Sequence, residues 1–296
     1  MGYAIHVVDV FTERPLAGNQ LAVVLRAEGI PDDVMQRIAK EMNISETTFV
    51  LAPEHAGNVA RVRIFTPGSE LPFAGHPTIG TAWVLFTEGL VPSGALEFTL
   101  EEGVGPVRVR GVRGTSGLNF WMTQPPITFG KVISGRAQAA AAIGLNESEL
   151  IDNVPIQVAT TGVPFAYVAL RDAQAVDRAV SEKERLAGVF SEGVFMFAPL
   201  GDNRLYSRMF APHVLDIHED PATGSGSGPL GAFAVKYGLV KRSATVSLIS
   251  EQGTKMGRQS FIHIELGYPP DGDIPSRIEV GGSVVPTLKG ELSGGW

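Results

Sequence analysis

Glu46, His76 and Asp220 are the side chains whose types and surroundings could carry out acid–base chemistry. Glu46 follows a run with helical spacing and begins a strand-like run, so its carboxylate could project into a cleft as general base and then general acid. His76 follows Gly75 at the start of an apolar run, where an imidazole can orient a carboxylate or relay a proton. Asp220 precedes a Gly-rich turn, where it could contact a substrate ammonium group or share proton transfer with Glu46.

The chain has two Gly-rich turns: the first contains His76, and the second follows Asp220. Each leads into a run of small residues that predicts a helix, over 78–86 after the first turn and over 229–237 after the second. The first N–H groups of a helix have no intrahelical acceptor and lie at the positive end of its dipole, which favours anions. The pattern therefore predicts two halves that face each other across one small anionic carboxylate substrate. The residues expected to bind this substrate are Gly75, Thr223, Gly224 and Ser225.

Each candidate also has a purely structural interpretation. Glu46 could be an exposed residue at a strand edge, because charged side chains are mostly exposed. His76 and Asp220 could each cap the helix that follows. The Gly-rich segments could be tight turns and nothing more.

Metal and cofactor sites are disfavoured by the motifs. The cluster His213, Asp216, His218, Glu219 and Asp220 matches no established ligand spacing. The turns have neither the Gly-Lys-Ser/Thr of a P-loop nor the Gly-x-Gly-x-x-Gly of a dinucleotide fold. The chain has no cysteine, which excludes disulfides, thiolate ligands and a thiol nucleophile. We therefore expect no metal and no cofactor.

Composition excludes several classes of partner. The chain has 296 residues, a net charge of −7 and scattered Lys and Arg, which argues against nucleic acid and anionic membrane surfaces. No run of 18 uncharged apolar residues is present, and the N-terminus has no basic region of a signal peptide. These features predict a cytoplasmic protein without membrane or nucleic-acid partners.

Strand-like runs outnumber helical ones, and their order repeats: strands, Gly-rich turn, central helix, strands. Runs of strands that do not alternate with helices favour an α+β fold, here with an internal duplication. We predict a first domain over 1–116, completed by a C-terminal strand at 282–296, and a second over 117–281. The segment 113–117 is the predicted junction.

Several segments, taken together and in order, resemble the PhzF family of phenazine-biosynthesis isomerases, which share the diaminopimelate epimerase-like fold. The resemblance spans most of the chain. The segments are Ala17-Gly18-Asn19, Met42-Asn43-Ile44-Ser45-Glu46-Thr47, Arg63-Ile64-Phe65-Thr66-Pro67, Glu70-Leu71-Pro72-Phe73-Ala74-Gly75-His76-Pro77, Ser207-Arg208-Met209-Phe210 and Asp220-Pro221-Ala222-Thr223-Gly224-Ser225.

The resemblance implies two similar domains, each a curved, mostly antiparallel sheet or barrel around a central helix, with the active site between them. It implies an isomerase without metal or cofactor, of the trans-2,3-dihydro-3-hydroxyanthranilate type. Glu46 falls on the family's catalytic acid/base, His76 on the residue that positions the substrate, and Asp220 on the acid that contacts its amino group. Gly75 and Ser225 fall on the donors to its carboxylate. We also expect a homodimer.

Three functions remain open. The first is this proton-shifting isomerase, and the second is a racemase, epimerase or lyase on the same scaffold with Glu46 as base. The third, a catalytically silent binding protein, is disfavoured because Glu46, His76 and Asp220 are present together. Epimerases of this fold that use two cysteines are excluded as a chemical precedent. The charged, His-rich segment 212–218 departs from the family pattern and could alter the choice of substrate.

Overall fold

The computed structural model describes residues 2–114 and 117–295, and strands dominate them. The described residues form 18 strands and six α-helices. The strands are β1 (Gly2–Val10), β2 (Asn19–Val24), β3 (Glu46–Leu51), β4 (Ala60–Phe65), β5 (Glu70–Leu71), β6 (Glu97–Glu102), β7 (Gly105–Gly114), β8 (Gly117–Thr123), β9 (Thr128–Ile133), β10 (Ile156–Thr160), β11 (Phe165–Ala169), β12 (Gly193–Gly201), β13 (Arg204–Ala211), β14 (Ile217–Asp220), β15 (Thr245–Gln252), β16 (Ser260–Gly267), β17 (Arg277–Gly282) and β18 (Val284–Ser293). The helices are α1 (Asp32–Met42), α2 (Gly75–Thr87), α3 (Arg136–Ala142), α4 (Ala173–Arg178), α5 (Lys183–Ala187) and α6 (Gly224–Lys236).

The chain divides into two compact units, which we call the first unit (1–123 with 281–296) and the second unit (124–280). The junction predicted at 113–117 includes Thr115 and Ser116, which lie outside the described residues. The domain boundary predicted at 116 therefore stays a prediction. No helix among the described residues is both long enough and apolar enough to span a bilayer.

The first unit is a mostly antiparallel sheet. Strand β1 pairs antiparallel with both β18 and β2, and β2 pairs parallel with β3. Strand β4 then pairs antiparallel with β3 and β5 and parallel with β6, and β7 joins β6 and β8 in antiparallel pairs. Helix α2 packs against β1, β2, β3 and β8.

The second unit repeats this order strand for strand. Strand β10 pairs antiparallel with β9 and β11, and β11 pairs parallel with β12. Strand β13 pairs antiparallel with β12 and β14 and parallel with β15, which pairs antiparallel with β16. Helix α6, like α2, has 13 residues and directly follows the short strand of its unit. The predicted α+β fold with two similar sheet-and-helix halves is confirmed.

Small residues allow the sheets to lie close to the central helices. A Cβ added at Gly80 of α2 would lie 2.5 Å from Cδ2 of Leu21 and 2.9 Å from Cγ2 of Val10. Helix α2 is buried on nearly all sides from Gly75 to Leu85, which explains why its sequence shows no polar face. It begins three residues before the predicted start, so the Gly-rich turn itself forms its first turn.

Gly80→Ala should test this close packing. Overpacking a core costs about 1–3 kcal/mol, because the added methyl must displace Leu21 or Val10. The control is Gly290→Ala in β18, where the nearest atom to the added Cβ is 3.8 Å away. We expect urea unfolding to show a loss of that size for Gly80→Ala only, and equal stability of the two variants would contradict the packing argument.

Candidate active site

Glu46 and His76 form a buried acid–imidazole pair in the first unit. Glu46 is the first residue of β3, next to Leu21 of the parallel strand β2. His76 is the second residue of α2, and Oε2 of Glu46 lies 3.1 Å from its Nε2. Only 6% of Glu46 and 3% of His76 is exposed, so the interpretation of Glu46 as an exposed strand-edge residue is wrong.

The neighbours of His76 define its tautomer. Its Nδ1 lies 3.2 Å from the side-chain amide nitrogen of Asn19, and its Nε2 lies 3.2 Å from the carbonyl oxygen of Gln20. Because a carbonyl can only accept, we infer that the imidazole has a proton on Nε2. That N–H donates to the Gln20 carbonyl, and Oε2 of Glu46, although 3.1 Å from Nε2, is buried without a hydrogen-bond partner among the described residues. The carboxylate therefore keeps one oxygen available for a group beside it.

Helix α2 begins in a way that suits an anion. Its N-cap residue, Ala74, has an extended backbone and no side-chain acceptor for the N–H groups of the first turn. Those groups have no intrahelical partner, and the helix dipole adds partial positive charge there. Gly75 is the first residue of this turn, and its part in anion binding stays a prediction.

Asp220 and Thr223 form the corresponding polar group of the second unit. Asp220 ends β14 with 8% of its surface exposed, and its Oδ2 accepts a hydrogen bond of 2.6 Å from Oγ1 of Thr223. Gln252 donates to the Asp220 carbonyl at 2.7 Å and to Oγ1 of Thr223 at 2.9 Å, and it accepts from the Thr223 N–H at 3.0 Å. The N-cap residue of α6 is Thr223, whose own side chain makes no capping hydrogen bond, and the interpretation of Asp220 as a helix cap stays open.

The first turn of α6, with Gly224 and Ser225, is fixed by side chains. Pro229 has no N–H, so the carbonyl of Ser225 has no donor four residues later. Gln124 donates to the Gly224 carbonyl at 2.9 Å and to the Ser225 carbonyl at 3.4 Å, and Thr161 lies 3.4 Å from the latter. This turn is therefore rigidly held at its carbonyl side.

The same arginine–glutamate pair precedes each central helix. Arg63 of β4 makes two hydrogen bonds of 2.7 Å to Glu70 of β5. Arg208 of β13 makes the same two bonds to Glu219 of β14, at 2.8 and 2.7 Å, and its third nitrogen donates to the carbonyl of Ala179 at 2.8 Å. Each guanidinium also stacks on the phenylalanine two residues further along its strand.

Equivalent positions in the two units differ in chemistry. Gly193 begins β12 as Glu46 begins β3, and a Cβ there would lie 2.9 Å from the ring of Phe165. Ser225 takes the place of His76 as the second residue of the central helix. The acid–imidazole pair therefore belongs to the first unit, whereas the second unit has Asp220 where the first has Leu71.

The cluster at 213–220 does not assemble as a ligand set. Among the described residues no group of three or more His, Asp or Glu is placed to hold a metal ion. Nε2 of His213 donates to the carbonyl of Glu192 at 3.0 Å. Asp216 is exposed and pairs with Lys183 at 3.3 Å.

Sequence reasoning gave no role to Asn19, Glu102, Gln252 or the two arginine–glutamate pairs. The pairs could have been found by aligning the two halves, because both contain Arg-x-Phe-x-Pro followed by Glu-x-Pro-x-x-Gly. Asn19 lies 57 residues from His76, and Gln252 lies 29 residues from Thr223. No local spacing reveals these two contacts.

Comparison with known proteins places the chain among relatives of full length. The PhzC-PhzF family, described as phenazine biosynthesis-like protein, matches residues 8–290. The trans-2,3-dihydro-3-hydroxyanthranilate isomerase of Pseudomonas fluorescens is 32% identical over 286 residues, which cover 97% of this chain and 98% of that protein. An uncharacterised isomerase of Clostridium acetobutylicum is 30% identical, with 98% of each chain covered. The predicted isomerase class is confirmed by these relatives.

Solved structures agree with this grouping. The PhzF-family phenazine biosynthesis protein of Bacillus anthracis superposes with a TM-score of 0.90, at 26% identity and 99% coverage of both chains. A hydroxyproline epimerase of Agrobacterium vitis has a TM-score of 0.66 at 13% identity, with 98% of this chain and 92% of that one covered. The second likeness concerns the fold alone.

Arg208→Met should destabilise the second unit strongly. Removing one partner of a buried, hydrogen-bonded ion pair costs about 3–5 kcal/mol, and the loss here should approach that range because Glu219, whose side chain is 12% exposed, would remain as an unpaired charge. The matched control is Arg185→Met in α5, whose exposed pair with Glu182 is worth at most about 1 kcal/mol. Urea unfolding measures both, and a loss at Arg208 no larger than that at Arg185 would show that the pair is not structural.

Proposed function

Because the chain belongs to the PhzC-PhzF family of phenazine biosynthesis-like proteins, we propose that it is an isomerase that shifts a proton on a small cyclic amino or hydroxy carboxylic acid. The observation that supports this proposal most is the buried Glu46 carboxylate 3.1 Å from the Nε2 of His76. A buried carboxylate beside an imidazole suits general acid–base catalysis.

In the proposed reaction Glu46 acts first as base and then as acid. Its carboxylate breaks a C–H bond of the substrate, and the electron pair delocalises into the adjoining unsaturated system. The Glu46 carboxyl then returns the proton to a second ring carbon, so the substrate and product are isomers and nothing else is consumed. His76, through its Nε2–H, keeps the carboxylate oriented or positions the substrate.

The substrate-binding roles follow from the same family likeness. We propose that the N–H groups at Gly75 and Ser225 bind the substrate carboxylate, because helix starts favour anions. Asp220 would accept a hydrogen bond from the substrate amino group. Thr223 and Gly224 would form the surrounding turn. The homodimer, the cytoplasmic location, and the absence of nucleic-acid and membrane partners stay predictions.

The relative from Pseudomonas fluorescens suggests one substrate, trans-2,3-dihydro-3-hydroxyanthranilate, which has both groups that these residues would bind. A second candidate function is a racemase or epimerase, favoured by the fold shared with the hydroxyproline epimerase. A lyase on the same scaffold would also use Glu46 as base. A silent binding protein is disfavoured, because burying a carboxylate costs free energy that simple packing of an apolar residue avoids.

Glu46→Gln should remove the proton-transfer group while keeping its shape. Loss of general acid–base catalysis lowers kcat by about 10²–10⁴-fold. Steady-state kinetics with dihydro-hydroxyanthranilate measure this, with Glu41→Gln on the exposed side of α1 as a control expected to retain wild-type kcat. A Glu46→Gln enzyme within a few-fold of wild type would remove Glu46 from the mechanism.

Deuterium incorporation should separate isomerisation from racemisation. In D₂O an isomerase of this kind places deuterium on the carbon that receives the proton wherever the Glu46 proton exchanges with solvent before its return, and in every case the double bonds of the ring change position. A racemase exchanges hydrogen at one stereocentre and leaves the double bonds unchanged. NMR of the reaction mixture distinguishes the two, and exchange with inversion at a single carbon would favour the second candidate function.

A further inference from the structure

Glu102 is a second buried acid of the first unit, apart from the proposed proton transfer. It ends β6, is 7% exposed, and has its Oε1 2.6 Å from the hydroxyl of Thr78 in α2. Its other oxygen, Oε2, is buried without a hydrogen-bond partner among the described residues. A buried carboxylate with a single contact would be costly if it were ionised.

The hydroxyl of Thr78 shows which group supplies the proton. Its Oγ1 lies 2.8 Å from the carbonyl of Ala74, one turn earlier in α2, as well as 2.6 Å from Glu102. A carbonyl can only accept, and a hydroxyl has a single proton to donate. Both short contacts are satisfied when Thr78 donates to Ala74 and Glu102, as the un-ionised acid, donates to Thr78.

The second unit has a neutral residue at the equivalent position. Gln252 ends β15 as Glu102 ends β6, and a glycine follows each. A Cβ at Gly103 would lie 2.7 Å from Cα of Pro72, and one at Gly253 would lie 2.5 Å from the carbonyl oxygen of Pro221. Gln252 holds the turn before α6 through its amide hydrogens. Gln252 thus holds the residues just before α6 with a neutral donor, whereas a protonated Glu102 holds Thr78, the fourth residue of α2.

We propose that Glu102 is a positioning residue for His76: as the neutral acid it fixes Thr78 and the first turn of α2, and its ionisation releases that turn. The proposal rests on the proposed function only in so far as His76 takes part in the reaction. Once ionised, Glu102 has no proton to give, and Thr78 must turn its own proton away from Ala74. The first turn of α2 then loses the short side-chain bond from Thr78 to Ala74, two residues from His76, and keeps only the longer backbone bond of 3.3 Å between the same two residues.

Burial raises the pKa of Glu102 from 4.5 to about 8. Glu102 lies at a groove, a cavity of about 550 Å³, and the other charged side chains that line it have partners other than Glu102. Arg63 pairs with Glu70, and Arg61 pairs with Glu54. Glu101 accepts a hydrogen bond from the backbone N–H of His55, and its hydrogen bond with Asn58 lowers the pKa of Glu101 to about 2. The charged and titratable residues that line this groove with Glu102 are Glu54, His55, Arg61, Arg63, Glu70 and Glu101.

The raised pKa of Glu102 determines how the stability of the fold should change with pH. Because the folded-state pKa is raised, the folded state holds one more proton than the unfolded state between pH 4.5 and about 8. Stability from Glu102 is therefore complete below pH 4.5, falls as the pH rises, and levels off above about pH 8. Because the folded state holds one more proton in this range, the unfolding equilibrium constant rises about tenfold for each unit of increase in pH.

The test compares Glu102→Gln with wild type across pH 5 to 9. The amide can donate to Thr78 and cannot ionise, so the ratio of the wild-type to the variant unfolding constant should rise about tenfold per pH unit up to about pH 8. The wild-type kcat/KM should fall above about pH 8, and the variant should keep its activity there. Glu97→Gln on the same strand, exposed and 3.9 Å from Arg108, is the control and should behave as wild type.

NMR of the wild-type chain supplies readouts that need neither a variant nor a substrate. The carboxyl carbon of Glu102 should titrate near pH 8, and the imidazole signals of His76 should shift in the same pH range. Titration of Glu102 near 4.5, or parallel pH profiles for wild type and Glu102→Gln, would overturn the proposal. Unchanged His76 signals through this titration would reduce Glu102 to a structural residue. If no substrate is turned over, the proposed function fails, and the stability and NMR results still decide the role of Glu102.

Discussion

The bidentate arginine–glutamate pair ahead of each central helix is the interaction on which both halves depend. Arg63 with Glu70, and Arg208 with Glu219, tie the strand before the turn to the short strand that leads into the helix. In the first unit this bond adds to the backbone pairing of β5 with β4 and to the bonds of Thr66 within the turn between them. Each pair lies one residue before the position that Leu71 or Asp220 occupies, so it determines where the turn and the helix begin.

The backbone just before each central helix has the same arrangement in both units, and the neighbouring side chains can therefore differ. The close approach of Gly103 to Pro72, and of Gly253 to Pro221, fixes the backbone from the other side. The side chains between these fixed points differ from one unit to the other in charge and size. The first unit uses this freedom for an acid–imidazole pair, and the second for a carboxylate bound by a threonine and a glutamine. The two units thus share one backbone arrangement, and their side chains at equivalent positions differ in chemistry.

Much of this arrangement could be predicted from the sequence, for identifiable reasons. The Gly-rich turns and apolar runs have local signals, so the central helices and the position of His76 at a helix start were predicted. The burial of Glu46 was not, because its local sequence fits an exposed strand edge equally well. Its contact with His76 joins residues 30 positions apart, and pairing across a sheet is set by the whole fold.

Protonation states are the least accessible to sequence reasoning, because they depend on what surrounds a group in space. Glu46 and Glu102 are both buried glutamates of the first unit at strand ends near α2. The first has an imidazole N–H 3.1 Å away, whereas the second has only a hydroxyl whose proton already binds the carbonyl of Ala74. Burial raises the pKa of Glu102, which has no free donor among the described residues to hold it as a carboxylate. In the two proposals the same residue type moves a proton at one position and holds one at the other, since the groups around them differ.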